Sequence, residues 1–155
     1  MQRIINQIRD LELIESELHN SYVGVLALYV DDEKTIQLPT TFLYRDKNIY
    51  IFFKSDDELY ESVKYNSNAS FTVIKEEKVK KIKNFDFTPS YHMFSITLNG
   101  LVRKVDEEKS MINLRNEYLA KYSKKSEPLS KTIPALANAI IMDSDEIHAQ
   151  EEIGG

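Results

Sequence analysis

Short runs of valine, isoleucine and aromatic residues, each bounded by polar turn residues, constrain the fold of this chain most strongly. The runs are too short for typical helices, and their composition is typical of β-strands. Short turns separate several of them, so we expect neighbouring strands to pair antiparallel. The sequence therefore predicts an α+β fold around one antiparallel sheet. The predicted strands are Tyr22–Val30, Thr35–Tyr44, Ile49–Phe53, Ala69–Ile74, Tyr91–Val105 and Ile140–Met142.

Several local signals refine these strands. Pro39 cannot donate a backbone hydrogen bond, so it predicts a sheet edge or a bulge. Arg45–Asn48 predicts a short hairpin connection. Asn99-Gly100 allows either a hairpin turn or a bulge at Gly100. The segment 143–152 has five acids and no lysine or arginine, which predicts an acidic tail.

Helices are predicted between and beside the strands. Apolar residues at spacings of three and four give the first helix one apolar stripe. The second long helix carries Met111, Leu114, Tyr118 and Tyr122 on one face. Ser55-Asp56-Asp57-Glu58 has the S-x-x-E form of a capping box, which predicts the start of a short helix. The predicted helices cover residues 3–20, Ser55 to about Tyr65, Asp106 to about Tyr122, and a segment that begins at Ser130 or Thr132 and contains Pro134.

The composition excludes several kinds of site. The chain has no cysteine, which excludes disulfides, thiolate metal sites and cysteine nucleophiles. Its four glycines form neither a G-x-G-x-x-G motif nor a P-loop, and its three histidines lack the spacing of zinc ligands. The net charge of −5 argues against a nucleic-acid partner. Lys75–Lys83 is interpreted as a solvated strand end or loop.

The length and the apolar pattern set the expected organisation. A chain of 155 residues fits one domain, residues 1–155. The N-terminal segment carries acids among its apolar residues, unlike a signal peptide. No apolar run reaches the ~20 residues that span a bilayer. We therefore expect a cytoplasmic protein with no membrane partner.

Five segments, taken in order along residues 3–120, carry a resemblance to a known family. They are Gly24–Leu28, Leu38–Tyr44, Asn48–Phe53, Val63–Asn66 and Ala69–Val73. In this order they resemble the FMN-binding split-barrel family, the pyridoxamine 5'-phosphate oxidase-like proteins. The resemblance implies an antiparallel split β-barrel of about six strands with flanking helices.

The resemblance also implies a homodimer that binds one FMN at each of two subunit interfaces, and a small-molecule ligand. Pro39, Thr40 and Thr41 would lie beside the isoalloxazine ring. A helix N-terminus offers free N–H groups to the phosphate, with the Ser55 hydroxyl and the Lys54 charge beside it. Helix capping alone would explain Ser55 equally well, and a solvated side chain would explain Lys54. The candidate residues at the ribityl and phosphate end are Phe53, Lys54, Ser55, Leu59, Tyr60 and Lys64.

The chain departs from the family pattern at this phosphate end. Phe53 stands where many members have a histidine, and residues 57–59 stand where they have a glycine with a lysine or arginine. Carboxylates at Asp56, Asp57 and Glu58 would repel a phosphate dianion. Two functions therefore stay open: an FMN-dependent small-molecule oxidoreductase, and a non-catalytic split-barrel dimer without FMN.

Further alternatives concern other residues. A haem-binding or haem-handling relative would use His148 as its ligand. Tyr91 or His92 could enter the site from the partner subunit, or only pack the dimer. The chain lacks tryptophan and the arginine-bearing C-terminal segment of true pyridoxamine 5'-phosphate oxidases, so that reaction is not predicted. We assign no catalytic residue and no metal ligand.

Aromatic residues also favour a homodimer without reference to any family. The strands hold more apolar surface than one small barrel interior can cover, and a large exposed apolar patch usually marks an interface. The candidate interface residues are Tyr22, Tyr29, Phe42, Tyr44, Phe52, Phe53 and Tyr91.

Overall fold

The computed structural model describes residues 3–31, 33–64, 67–80, 90–105, 108–123 and 138–154. These ranges form one open antiparallel sheet with three helices, which confirms the predicted fold class. The strands are β1 (Arg3–Ile8), β2 (Gly24–Asp31), β3 (Lys34–Thr40), β4 (Leu43–Arg45), β5 (Asn48–Phe53), β6 (Ser67–Lys80), β7 (Ser90–Lys104) and β8 (Asn138–Gly154). The helices are α1 (Leu11–Asn20), α2 (Glu58–Ser62) and α3 (Glu108–Tyr122).

The sheet has the order β3-β2-β6-β7-β8-β5-β4, and β1 pairs with β8 outside this path. Side chains alternate between its two faces, so every second residue of β2 and β6 points into one core. Phe71, Leu26 and Ile96 are fully buried there, and Ile14 and Leu18 of α1 cover the same core. The sheet therefore wraps round this apolar core.

The β2–β3 and β4–β5 hairpins agree with the local sequence signals. β3 is the edge strand beside β2, so the missing N–H of Pro39 costs no ladder hydrogen bond, and its predicted edge position is confirmed. The Arg45–Asn48 hairpin is also confirmed. Asp46 and Lys47 have φ values of 50° and 67°, the left-handed conformation that two-residue hairpin loops require.

Thr35–Tyr44 is not one strand as predicted, because the chain leaves the ladder at Thr41 and Phe42. We call these two residues the seam. They join β3 to β4, the two strands at opposite ends of the sheet order. The seam is therefore the place where the wrapped sheet returns to itself without strand pairing.

Helix α3 supplies the hydrogen bonds that the seam lacks. Tyr122 Oη accepts the Phe42 N–H at 3.0 Å and donates to the Tyr22 carbonyl at 2.6 Å. Lys121 Nζ donates to the Phe42 carbonyl at 3.1 Å. A buried backbone group without a partner is costly, so these side chains let fully buried Phe42 leave the sheet.

The predicted helix over residues 3–20 is wrong in its first part. Residues 3–8 form β1, and Asp10 caps α1 by accepting the Glu12 and Leu13 N–H groups. Pairing of β1 with Ala149–Gly154 of β8 overrides the helical spacing, and Ile4 is 57% exposed.

The predicted acidic tail over residues 143–152 is also wrong, because the final strand extends from Asn138 to Gly154. β7 pairs with this strand from Ile140 to Gly154, and Ala149 belongs to the core. The register shifts at Asn99/Gly100, so the bulge alternative holds and the hairpin alternative does not. A Cβ at Gly100 would lie 2.0 Å from the Asp143 carbonyl oxygen, so glycine is required there.

The short helix after β5 forms, but its cap differs from the prediction. Asp57, not Ser55, is the N-cap, and α2 ends at Ser62 rather than near Tyr65. In α3, Met111 and Leu114 are buried as predicted. The Asp106 cap and the helix expected around Pro134 lie outside the described residues, as do residues 81–83 of the basic stretch.

Tyr122→Phe tests whether the seam depends on the phenol. We expect a loss of about 1–3 kcal/mol in the free energy of unfolding, because the buried Phe42 N–H loses its acceptor. Urea denaturation measures this loss. The control is Tyr29→Phe, at a tyrosine that is 53% exposed, where we expect a change within about 0.5 kcal/mol. Equal effects of the two variants would contradict the role of Tyr122.

Gly100→Ala tests the close approach of β7 to β8. The added methyl group meets backbone rather than a flexible side chain, so we expect a loss of about 1–3 kcal/mol by urea denaturation. Asn99→Ala, one residue earlier in the same strand, should change stability by about 0.5 kcal/mol or less. An unchanged stability in Gly100→Ala would show that the bulge is placed wrongly.

Candidate functional site

The structure divides the nine predicted site residues between two neighbouring places. Pro39 and Thr40 end β3, and Thr41 belongs to the seam. The others follow along the end of β5 and through α2, namely Phe53, Lys54, Ser55, Leu59, Tyr60 and Lys64. Because β4 pairs with β5, the seam runs alongside the end of β5 and brings the two groups together.

Tyr118 of α3 connects these two groups. Its hydroxyl lies 2.6 Å from Thr41 Oγ1, and its ring centroid lies 4.7 Å from that of Phe52 on β5. Tyr122 stacks next along the helix, with its ring 4.9 Å from Tyr118 and 5.7 Å from Tyr22. Thr41 therefore contacts one member of a row of four rings. We call this row, Tyr22, Tyr122, Tyr118 and Phe52, the aromatic wall.

Tyr118 and Tyr122 were not predicted as site residues. Their spacing placed them on the packing face of the second long helix. Both side chains are half-buried rather than buried, and both use their hydroxyls on the seam. The available signal was a pair of tyrosines one helical turn apart on an otherwise apolar face, since buried phenols need hydrogen-bond partners.

Lys121 lies behind the wall. Its Nζ is 3.8 Å from the centre of the Phe42 ring and 5.3 Å from that of Tyr122. Loss of water on burial lowers the pKa of Lys121 to about 8 from the ordinary 10.5. The same loss raises the pKa of the neighbouring Tyr122 phenol. The site thus contains an amine and a phenol whose proton affinities the fold has changed.

The residues around α2 form the second place. Phe53 is buried, with its ring 6.0 Å from Tyr60, and Leu59 packs against the core. Lys104 Nζ lies 4.6 Å above the Tyr60 ring. The side chains of Lys54, Ser55 and Lys64 are exposed. A ligand would therefore meet these three side chains, and would meet Phe53 only through its backbone.

The N-terminus of α2 does not fit a phosphate in the way the sequence suggested. Asp57 Oδ1 already accepts the Leu59 N–H at 2.9 Å, so the helix start carries its own carboxylate. Asp56, Glu58 and Glu61 add three more acids around the same turn. The wall presents rings of the kind that pack against a flat aromatic ligand, whereas a phosphate would depend on the exposed lysines and the Ser55 hydroxyl.

Tyr91 and His92 lie at the far end of β7 from the seam within one subunit. The Tyr91 hydroxyl donates to Glu152 Oε1 at 2.6 Å, and Arg3 Nε donates to the same oxygen at 2.5 Å. The hydrogen bond from Arg3 lowers the pKa of the buried Glu152 most, and the bond from Tyr91 lowers it further. His92 pairs with Glu151. Their entry into a partner's site stays a prediction.

The candidate haem ligand, His148, lies on the surface. Its side chain is 60% exposed and pairs with Glu146, and its role as a haem ligand stays a prediction.

The predicted interface residues differ in their exposure. Phe42, Tyr44 and Phe53 are buried in the core of one subunit, so they cannot form the expected dimer surface. Tyr22 and Tyr29 remain exposed.

Two properties of the described ranges bear on other kinds of site. No group of three or more histidine or acidic side chains within them is arranged to hold a metal ion. No helix within them is long and apolar enough to cross a membrane.

Solved structures with similar folds cover almost the whole chain. A suspected 5-nitroimidazole antibiotic resistance protein from Bacteroides thetaiotaomicron gives a TM-score of 0.74 at 16% identity, covering 99% of this chain and 91% of its own. An FAD binding protein from Mycobacterium smegmatis gives a TM-score of 0.67 at 14% identity, covering 97% of this chain and 100% of its own. An FAD and heme binding protein from Mycobacterium smegmatis gives a TM-score of 0.72 at 15% identity, covering 96% of this chain and 74% of its own. These similarities show the fold.

The sequence itself matches a family. No curated protein matches the chain. The family model described as pyridoxamine 5'-phosphate oxidase matches residues 10–149, which is most of the chain. This span includes the seam, α2 and the aromatic wall. The chain belongs to the pyridoxamine 5'-phosphate oxidase family.

Proposed function

We propose that this protein is a flavin-binding homodimer that carries out redox chemistry on a small molecule. The observation that carries the proposal is the contact of Thr41 and Phe52 with Tyr118, which forms an aromatic wall at the place where the family resemblance puts the flavin ring. Similar folds described as FAD-binding support a flavin as the ligand. A bound flavin would supply hydride and electron transfer, and the protein would bind and orient it.

FMN is the form that we propose, with its ring beside Pro39, Thr40 and Thr41. Among the residues that the structure describes, no strand pairs with the outer edge of β3 beside these residues. Lys54, Ser55 and Lys64 would face the phosphate, because their side chains are exposed beside α2. The Asp57 cap and its acidic neighbours would weaken that end of the site.

The dimer surface that we propose is the outer face of β2, β6 and β7. Its side chains are short, uncharged and half-buried: Val25, Ala27, Ser70, Thr72, Ser95 and Thr97. A patch of short uncharged side chains suits a self-complementary contact between two copies. Val25 lies opposite Pro39 in the β2–β3 ladder, so the same face reaches the proposed flavin site. A second copy would therefore help to enclose a ligand at the seam.

Oligomeric state tests this surface. We expect light scattering at micromolar concentration to give twice the subunit mass of 18.0 kDa. Thr72→Arg should yield monomers, because it buries two like charges in a self-complementary contact. Asn113→Arg, an equal change on the exposed side of α3, should leave the dimer intact. A wild-type monomer would contradict the homodimer, and a dimeric Thr72→Arg would contradict this face.

Charge variants at α2 test the phosphate end. Lys54→Ala should weaken FMN binding about tenfold or more, the expected loss for one charge-assisted contact. Glu58→Lys should tighten it, because an attraction replaces a repulsion, and added salt should reduce both effects. Quenching of FMN fluorescence measures the affinities.

Glu33→Lys is the matched control for this titration. It makes the same charge change as Glu58→Lys, at an exposed position in the β2–β3 turn. This position is at the opposite end of β3 from Thr40. We expect it to alter FMN affinity by less than about twofold, since screening removes distant surface charge effects. If Lys54→Ala and Glu58→Lys change affinity no more than Glu33→Lys does, the phosphate does not lie beside α2.

A further inference from the structure

Lys121 is a half-buried cation that has no acidic partner among the residues the structure describes. Its Nζ bonds the Phe42 carbonyl and lies over the Phe42 ring, and within the described ranges no carboxylate forms an ion pair with it. Glu117 precedes it by one helical turn, the usual position for a pairing acid. Glu117 instead bonds Arg45, with Nη1 and Oε1 3.1 Å apart. The Lys121 amine therefore lies among aromatic rings, and no described carboxylate balances its charge.

Two other described lysines differ in their surroundings. Lys75 is about half exposed and pairs with Glu17 at 3.3 Å. Lys104 has one ring, that of Tyr60, below its Nζ. The carbonyl and the rings around Lys121 favour the ammonium form, but loss of water outweighs them and lowers its pKa to about 8. Relative to an ordinary lysine, this leaves roughly 300-fold more free amine near neutral pH.

A phenol lies beside this amine. Tyr122 Oη is 3.1 Å from the Phe42 carbonyl oxygen, the same atom to which Lys121 Nζ donates at 3.1 Å. The amine and a proton-carrying hydroxyl therefore meet at one acceptor. The Phe42 and Tyr122 rings lie beside the amine, and flat ring faces favour a planar aromatic partner.

We propose that Lys121 is a nucleophilic lysine that captures planar aromatic aldehydes reversibly as imines at the seam. Desolvated lysines in apolar surroundings are the ones that form Schiff bases with carbonyl compounds. This inference is independent of flavin binding, because it needs only the residues of α3 and the seam.

The chemistry needs no oxidant or reductant. The Nζ lone pair attacks the aldehyde carbon, the C–N bond forms, and the carbonyl oxygen takes a proton to give a carbinolamine. The hydroxyl then leaves as water with a second proton, which the Tyr122 phenol is placed to supply, and the C=N bond forms. Nζ has by then released its protons to solvent or to the Tyr122 oxygen, and hydrolysis reverses the sequence.

Competitive labelling of the full chain tests the proposal. The folded protein is treated briefly with limiting benzaldehyde and cyanoborohydride, which traps imines as secondary amines, and peptide mass spectrometry locates the label. We expect Lys121 to react at least about tenfold faster than Lys75 and Lys104, with a midpoint of its rate near the pKa of about 8. The α-amino group is scored separately, because its ordinary pKa is also near 8. Labelling in concentrated urea should remove the difference.

Matched reagents and variants separate the parts of the proposal. Propanal, which is not aromatic, should label Lys121 with less preference than benzaldehyde does. Lys121→Arg should abolish the fast label and leave Lys75 and Lys104 unchanged. Tyr122→Phe should slow labelling of Lys121 several-fold in protein that circular dichroism shows to be folded. Labelling of Lys121 at or below the rate of Lys75 in the folded protein would overturn the proposal, and equal preference with propanal would overturn its aromatic specificity.

Discussion

The backbone of Phe42 must be satisfied away from the sheet, and much of this structure depends on that requirement. β3 and β4 are consecutive in sequence yet lie at opposite ends of the sheet order, so the chain crosses between them without a ladder. Phe42 is fully buried at the crossing, and its N–H and carbonyl bond Tyr122 and Lys121. Because buried peptide groups without partners are costly, α3 has to dock at this point.

The same docking creates the proposed ligand site. It holds Tyr118 against Thr41 and Phe52, at the end of β3, which is an edge strand among the described residues. The opposite end of the site is less favourable to an anion, since Asp57 caps α2 with its own carboxylate. Under the proposed function, the balance between the aromatic wall and the acidic phosphate end would decide whether the protein binds a flavin tightly or weakly.

The sequence predicted the central strands, the edge position of Pro39 and the Arg45–Asn48 hairpin, because alternation and turn residues are local signals. It failed where distant segments pair. Residues 3–8 have helical spacing but are a strand, because the end of β8 offers them a ladder. Residues 143–152 have the composition of a solvated tail. They form a strand because β7 and β1 pair with them. The tyrosines of α3 were assigned to packing, since nothing local shows that the seam needs their hydroxyls.

The absorption spectrum of the protein tests the central functional claim most directly. The purified chain would be incubated with FMN, freed of unbound cofactor by gel filtration, and measured from the near ultraviolet through the visible. Our account predicts a retained flavin absorption band at about 450 nm. The band should be shifted relative to that of free FMN, because the ring would lie against the aromatic wall. A colourless protein, or one whose only band lies at about 400 nm as expected for haem, would contradict it.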